Sequence, residues 1–365
     1  MLRVAVWGTG NMGSTAIRSL TGFPGLSLSA VITSSAAKVG RDAADLAGLP
    51  TPTGVIATDD ADAALAATDA VAYMASGDIR PDEALADIER CLRAGAHVVT
   101  PSLYSLYDPA SAPQEWVHRL TAAAQQGGSG LLVSGVDPGW GNDALAVVAA
   151  GLCTQIRSIH CQEIFDYSTY DQPHAVKVLC GFGGPMDETP MMLLPSIPTM
   201  VWGGNIRLIG RRLGLEIDEI AEELERRPLE TSVDTVMGTF DEGTQGAFWL
   251  KVIGRAGGVD RIVIDHITRI HPSCAPDWPQ PEDAASGGAG DHRVIIDGDP
   301  QLTIVSRADV PGGTRADGGN TTAANRLLGA IGWLAGHQPG IYDGLDIPLN
   351  STPPEWETAR WADGP

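Results

Sequence analysis

The sequence predicts an α/β fold, a doubly wound parallel sheet, followed by a second α+β domain built on an open antiparallel sheet. Three observations carry this. An apolar strand, Leu2–Trp7, runs straight into Gly8-Thr9-Gly10-Asn11-Met12-Gly13 and a helix. Strands and helices then alternate with short connections up to about Asp143. Beyond that point, long strands rich in Val, Ile, Thr and Phe follow one another with few helices between them.

The glycine spacing gains its meaning from this context. Gly8 permits a tight turn, Gly10 lets a dinucleotide pyrophosphate approach the backbone, and Gly13 lets the helix Asn11–Leu20 pack on the strand. Unpaired amides and the dipole at that helix N-terminus favour an anion. Thr9, Asn11 and Met12 complete the expected phosphate-binding turn.

The alternation supplies further strands at Leu28–Thr33, Asp69–Met74, Ala96–Thr100 and Gly130–Ser134, with helices at Arg80–Ala94 and Glu115–Gln126 between them. Alternation of this kind predicts a parallel sheet covered by helices on both faces, with ligands at the carboxyl ends of the strands. A helix at Asp143–Leu152 leads out. The second domain is read as strands at Ser158–Tyr167, Glu230–Phe240, Gln245–Arg255, Arg261–Ile270, Val294–Ile296 and Gln301–Ser306, interrupted by helices at about Pro190–Leu213 and Ile217–Glu225. The Pro-, Asp- and Gly-rich stretch Pro276–Asp291 reads as a surface loop. Thr321–Gly336 reads as a helix returning to the first domain. The expected division is residues 1–143 for the nucleotide domain, 144–318 for substrate and dimerisation, 319–349 for the returning segment, and 350–365 for a tail.

Composition narrows the partners. Among 365 residues, 24 Lys plus Arg face 45 Asp plus Glu, a net charge of −21. Such a surface repels phosphate backbones, so no nucleic acid is expected. The chain opens on a strand, with no basic and then apolar leader before it, and no apolar run is long enough to span a bilayer, so a cytoplasmic protein with no membrane association is expected. The five cysteines are scattered and never spaced as Cys-x-x-Cys, which predicts reduced thiols.

Gly8-Thr9-Gly10-Asn11-Met12-Gly13, Lys38-Val39-Gly40-Arg41-Asp42 and Val136-Asp137-Pro138-Gly139-Trp140 resemble the dihydrodipicolinate-reductase-like amine dehydrogenases, the family that includes 2,4-diaminopentanoate dehydrogenase. Thr322-Ala323-Ala324-Asn325, Pro339-Gly340-Ile341 and Leu345-Asp346-Ile347-Pro348 extend the likeness to the C-terminal part. The resemblance implies a Rossmann domain, an α+β domain, a homodimer, and NAD(P)-linked hydride transfer to a carbonyl, imine or amine substrate. No His-His-x-x-Lys run is present, so lysine biosynthesis is not implied.

The resembling enzymes place a catalytic glutamate after the fourth strand; here that position falls at or beside Tyr104. A protonated phenol can donate to an atom that gains charge on hydride arrival, but it does not readily hold a cation, which favours carbonyl or preformed-imine reduction over ammonia capture. Asp137, after the fifth strand, is the candidate compensating carboxylate, because burial raises a carboxyl's pKa toward the working range; Asp-Pro-Gly is also a favoured turn. Tyr104 and Asp137 are therefore the catalytic candidates. Tyr107 and Trp140 in the same two loops, with Tyr167, Tyr170 and His174 in the second domain, are the candidate substrate wall, combining apolar bodies with polar tips. His266 and His271 lie in or beside a strand with no ligand-spaced partner, so no metal is implied.

No acid stands at the end of the second strand, where Ser34 and Ser35 are followed by Lys38 and Arg41. That pattern suits the extra phosphate of NADP, with NAD still possible; Pro138 is expected beside the cofactor too. The predicted function is an NADP-dependent oxidoreductase acting on a carbonyl or imine. A catalytically lapsed NADP-binding sensor or assembly protein is the alternative.

Overall fold

The computed structural model describes residues 1–77, 79–283 and 288–348. It divides into two compact units, one of Met1–Leu103, Glu115–Ser134 and the chain from Ala324, the other of Tyr104–Gln114 and Gly135–Ala323.

The first unit begins with β1 (Leu2–Trp7), α1 (Asn11–Leu20), β2 (Leu26–Ile32), α2 (Ala43–Ala47), β3 (Ala57–Thr58), α3 (Ala61–Leu65), β4 (Ala70–Tyr73), α4 (Pro81–Arg93), β5 (His97–Thr100), α5 (Gln114–Gly127) and β6 (Gly130–Val133). Local chemistry explains these helices. Asp42 and Asp60 accept hydrogen bonds from Ala44 N and Ala63 N at 2.7 and 3.0 Å, capping α2 and α3. Pro81 opens α4, with Asp82 and Glu83 in its first turn and Arg90 and Arg93 in its last, matching the helix dipole. Val4, Val6, Ile17, Val31 and Leu132 lie in one apolar core, each contributing about 1.5–3 kcal/mol on burial.

The second unit adds α6 (Ala144–Ala150), β7 (Gln155–Asp166), α7 (Ile197–Arg212), β8 (Glu219–Pro228), β9 (Val233–Thr235), β10 (Gly238–Phe240), β11 (Gln245–Ala256), β12 (Val259–Arg269), β13 (Gly290–Asp299) and β14 (Leu302–Ser306). Its main sheet has the order β14-β13-β7-β12-β11-β8. The sheet is mixed rather than purely antiparallel, because β12 runs parallel to β7 from Ile262↔Ile159 to Arg269↔Asp166. The expected helix at Ile217–Glu225 is instead strand β8. Its Glu- and Arg-rich composition favours a helix, but the ladder with β11, from Arg255↔Glu219 to Gln245↔Pro228, overrides that local preference. The expected long strand Glu230–Phe240 is the short hairpin β9–β10. The helix expected from Pro190 starts only at Ile197, after a single tight turn at Met191–Leu193.

Helix α8 (Arg315–Ala335) starts earlier than its sequence pattern indicates, and from Ala324 onward it belongs to the first unit. Strand β15 (Gly340–Tyr342) then pairs parallel with β6, completing the seven-stranded order β15-β6-β5-β4-β1-β2-β3. The expected tail at 350–365 lies outside the described residues. All five cysteines are free thiols, and no described helix is long and apolar enough to cross a membrane.

Candidate active site

In the first unit, Gly8, Thr9, Gly10, Thr33, Ser34 and Ser35 lie on the wall of a cavity of about 610 Å³. Gly8 adopts φ +102°, and a Cβ there would stand 2.8 Å from Ala75 N, so the turn requires glycine. Nothing lies within 4 Å of a Cβ built on Gly10, which leaves the backbone open to a ligand. Gly10 is also the N-cap of α1, without a side-chain cap and with no acid in the first turn that follows, so the amides of Asn11, Met12 and Gly13 are available to an anion. These residues fit a dinucleotide. Lys38 Nζ donates to Thr9 O at 2.6 Å, which places its charge against the turn, while Thr9 and Thr33 share a buried hydroxyl contact at 3.1 Å. Arg41 is exposed on the following loop, and Asp59, after β3, adds an acid to the cavity wall that inspection of the end of β2 does not show.

In the second unit, strand register assembles a polar row inside an apolar sheet. His266 on β12 pairs with Glu163 on β7, Glu163 pairs with His292 on β13, and His292 pairs with Ser306 on β14. Opposite residues in register share one face, so these four side chains form a rung across four strands. Asp137 and Trp202 complete the cluster. Trp202 on α7 stacks on the His266 ring with centroids 4.0 Å apart and donates from Nε1 to Asp137 Oδ1 at 2.9 Å. Asn142 Nδ2 donates to the same oxygen. His266 Nε2 lies 3.5 Å from Asp137 Oδ2, and its Nδ1 lies 3.3 Å from Glu163 Oε2. Gly141 makes room for the row, since a Cβ there would sit 2.5 Å from His292 Cδ2.

Burial sets the electrostatics. It pushes the Asp137 carboxyl up, to about 7, with His266 offsetting part of the rise and Glu163 adding to it. Burial acts upward on Glu163 as well, but hydrogen bonds with Asp137 and His266 outweigh it and hold Glu163 low. For His266, burial opposes the charged ring, yet Asp137 and Glu163 together raise its pKa. His292 is lowered by burial, which Asp137 only partly offsets. Near neutral pH the cluster therefore holds an ionised Glu163 and a proton shared with Asp137, beside a neutral His292. Asp137, Glu163 and His292 each place a donor atom within 4.8 Å of the others, a spacing that fits one small cation.

A family model described as dihydrodipicolinate reductase, N-terminus, matches residues 2–100, and one described as 2,4-diaminopentanoate dehydrogenase C-terminal domain matches residues 142–352. The chain belongs to the 2,4-diaminopentanoate dehydrogenase family. It is a nicotinamide-dependent oxidoreductase, and the alternative of a catalytically lapsed binding protein is set aside. An amine dehydrogenase from Streptomyces virginiae is 57% identical over 351 residues, 96% of this chain and 97% of that protein. The 2,4-diaminopentanoate dehydrogenase of Acetoanaerobium sticklandii is 24% identical over 258 residues, 69% of this chain and 67% of that protein. The solved amine dehydrogenase of Mycobacterium smegmatis shares the fold, with a TM-score of 0.78 at 19% identity over 97% of this chain and 98% of that one.

Within this family member the candidate residues fall into three groups. Gly8, Thr9, Gly10, Ser34 and Ser35 line the first unit's cavity. Asp137 is in the buried cluster, Pro138 follows it in the same unit, and Trp140 donates from Nε1 to Ser306 Oγ at 3.4 Å, beside His292. Tyr167 stands near the cluster, packed against Phe165, Tyr170 and Phe182; its hydroxyl is raised well above the ordinary value by burial and then by Glu163. Tyr170 is pushed up to about 12 by burial, with Glu163 contributing. Tyr104 and Tyr107 stack on each other at 6.1 Å in a short turn of the second unit. His174 is exposed at the start of a π-helical segment.

Glu163, His266, His292 and Trp202 are the residues that linear reading misses. The signal was present in part: Glu163 and His266 stand among polar residues that alternate with apolar ones along β7 and β12. Linear spacing gave His266 no partner, because its partners come through inter-strand register.

Proposed function

We propose that this oxidoreductase interconverts a small primary amine with a carbonyl compound and ammonia. The observation that carries the reading is the buried Asp137–His266–Glu163 chain, which supplies the carboxylates that a tyrosine at position 104 does not. The sequence expectation that ammonia capture is disfavoured is revised on that ground. The amine dehydrogenase relative supports the same substrate class.

The bound cofactor accepts or supplies the hydride. An amine enters as the ammonium form and must lose a proton before its carbon can release hydride. Asp137, with its raised pKa, accepts that proton at near-neutral pH. Glu163, held ionised, then sits beside the positive iminium nitrogen, where fixed charge in a dry site stabilises it most. His266, gripped by both acids and by Trp202, fixes their positions. Tyr167 and Tyr170 form apolar walls around the carbon skeleton.

NADP is the proposed cofactor, on the strength of Lys38 and the hydroxyls of Ser34 and Ser35. A homodimer formed through the sheet face that carries Trp249, Lys251 and Gln162, opposite the His266 row, belongs to the same reading. Light scattering at micromolar concentration tests it, and a monomer overturns it. The function itself is tested by following NADPH oxidation with a carbonyl panel, with and without ammonium, alongside amine-dependent NADP⁺ reduction. Ammonium-dependent turnover that collapses in Glu163→Gln is expected. Equal carbonyl reduction without ammonium overturns the reading.

A further inference from the structure

Beside His292 lies a small, partly open cavity of about 20 Å³ that nothing in the hydride step uses. Its polar lining comes from Trp140, Asp291, His292, Ser306, Arg315 and Thr322. A single water needs roughly 10–15 Å³ and two to four polar partners, so the space suits one water molecule. Several of the wall groups are already engaged. Asp291 pairs with Arg293 at 2.8 Å, Arg315 donates to Gly290 O at 2.9 Å, and Thr322 donates to Gly318 O at 2.9 Å. Asp291 Oδ1 and Arg315 Nε make no hydrogen bond but stand in ion pairs with Arg293 and Asp309, whereas His292, 8% exposed, has its Nε2 buried without a hydrogen-bond partner. An unpaired buried ring nitrogen of this kind costs free energy unless a water or ligand meets it.

His292 also faces the cluster, with a ring nitrogen within 4.8 Å of oxygens on Asp137 and Glu163. The same ring thus borders both the water-sized cavity and the site assigned to the amine nitrogen. We propose that His292 is the general base for the water that hydrolyses the iminium, with this cavity as the source of that water. The inference rests on the amine reading above and assigns its second half-reaction. Water oxygen bonds to the iminium carbon, one water proton moves to the His292 ring, and the C=N π pair moves to nitrogen. The resulting carbinolamine loses its hydroxyl proton to the cluster as the C–N bond breaks. The nitrogen takes up the proton left on His292, departs as ammonia, and becomes ammonium by taking up the proton left on the cluster. The sum is iminium plus water giving carbonyl plus ammonium, with no oxidant beyond the hydride acceptor already used. A neutral imidazole is the form that accepts a proton. The groups facing it are Asp137, Glu163 and His266 on one side and Asp291 and Arg315 on the other.

Rapid mixing of enzyme and NADP⁺ with a primary amine separates the two halves. In His292→Asn, first-turnover nicotinamide reduction is expected within about threefold of the parent, while steady-state turnover falls by about 10²-fold, the lower range for loss of a general base. Ser306→Val, which removes a wall hydroxyl and fills the cavity while keeping the histidine, is expected to give the same split. NADP⁺ binding measured by fluorescence checks that each variant is folded. Equal loss in both phases, or steady-state rates within threefold of the parent in both variants, overturns the assignment. A parent protein with no amine-dependent first turnover refutes instead the amine reading on which it rests.

Discussion

His266 Nε2 lies 3.5 Å from Asp137 Oδ2, with both side chains almost wholly buried. Removing one member of such a contact leaves the other buried without its partner, which costs more than the contact itself contributes. The pair is therefore a sensitive point for both chemistry and stability.

Asp137→Asn and Glu163→Gln are each expected to lower kcat for amine oxidation by about 10²–10⁴-fold, the range for loss of acid–base function, with little change in NADP⁺ affinity. Tyr104→Phe is expected to be the milder change, because its hydroxyl is not in the buried row. Steady-state kinetics on the three variants check the order. A Tyr104→Phe defect larger than that of Asp137→Asn would return the acid–base role to the tyrosine.

The pH profile follows from the Asp137 proton. Amine oxidation needs Asp137 ionised, so kcat/KM should rise with pH through about 7. His266 lowers the Asp137 pKa, so His266→Gln should move this limb to higher pH. The stability sign is opposite. A carboxyl whose folded pKa is raised contributes stability below its unfolded value, near 4, that is lost as pH rises through about 7. Denaturant titrations from pH 4 to 8 should show this loss in the parent and not in Asp137→Asn.

The proposed NADP preference rests on Lys38, whose Nζ lies 2.6 Å from Thr9 O. NADPH is expected to bind more tightly than NADH by tenfold or more, about the 1.5–3 kcal/mol of a charge-assisted contact. Ser34→Asp with Lys38→Ala should reverse the order. Equal affinities in the parent, measured by fluorescence titration, would contradict the assignment.

Asp108 is fully buried and is forked by Arg211, with Nη1 donating to Oδ2 at 3.0 Å, in the turn that follows Tyr104–Tyr107. Arg211→Ala strands that carboxylate. A loss of about 1–3 kcal/mol is expected by chemical denaturation, reduced from the fully buried case because Arg211 is 43% exposed.

The first sheet, its glycine turn and the order of parts are legible in the chain, because alternating strands and helices and Gly8-Thr9-Gly10-Asn11-Met12-Gly13 are local signals. Pro81 marks a helix start for the same reason, while the short helices capped by Asp42 and Asp60 were not read from the chain. Asp137 was also visible, as an acid after an apolar strand. Strand β8 was not, since its Glu- and Arg-rich residues favour a helix until β11 supplies a ladder.

By itself the sequence determined a nucleotide-binding α/β unit, a strand-rich second unit and one candidate acid. Only the tertiary structure decided what surrounds that acid. His266, Glu163 and His292 are far apart along the chain and meet because β12, β7 and β13 pair in one register, and Trp202 reaches Asp137 from a helix packed over that face. Register is a property of strand pairs, and a one-residue slip would turn each side chain to the opposite face.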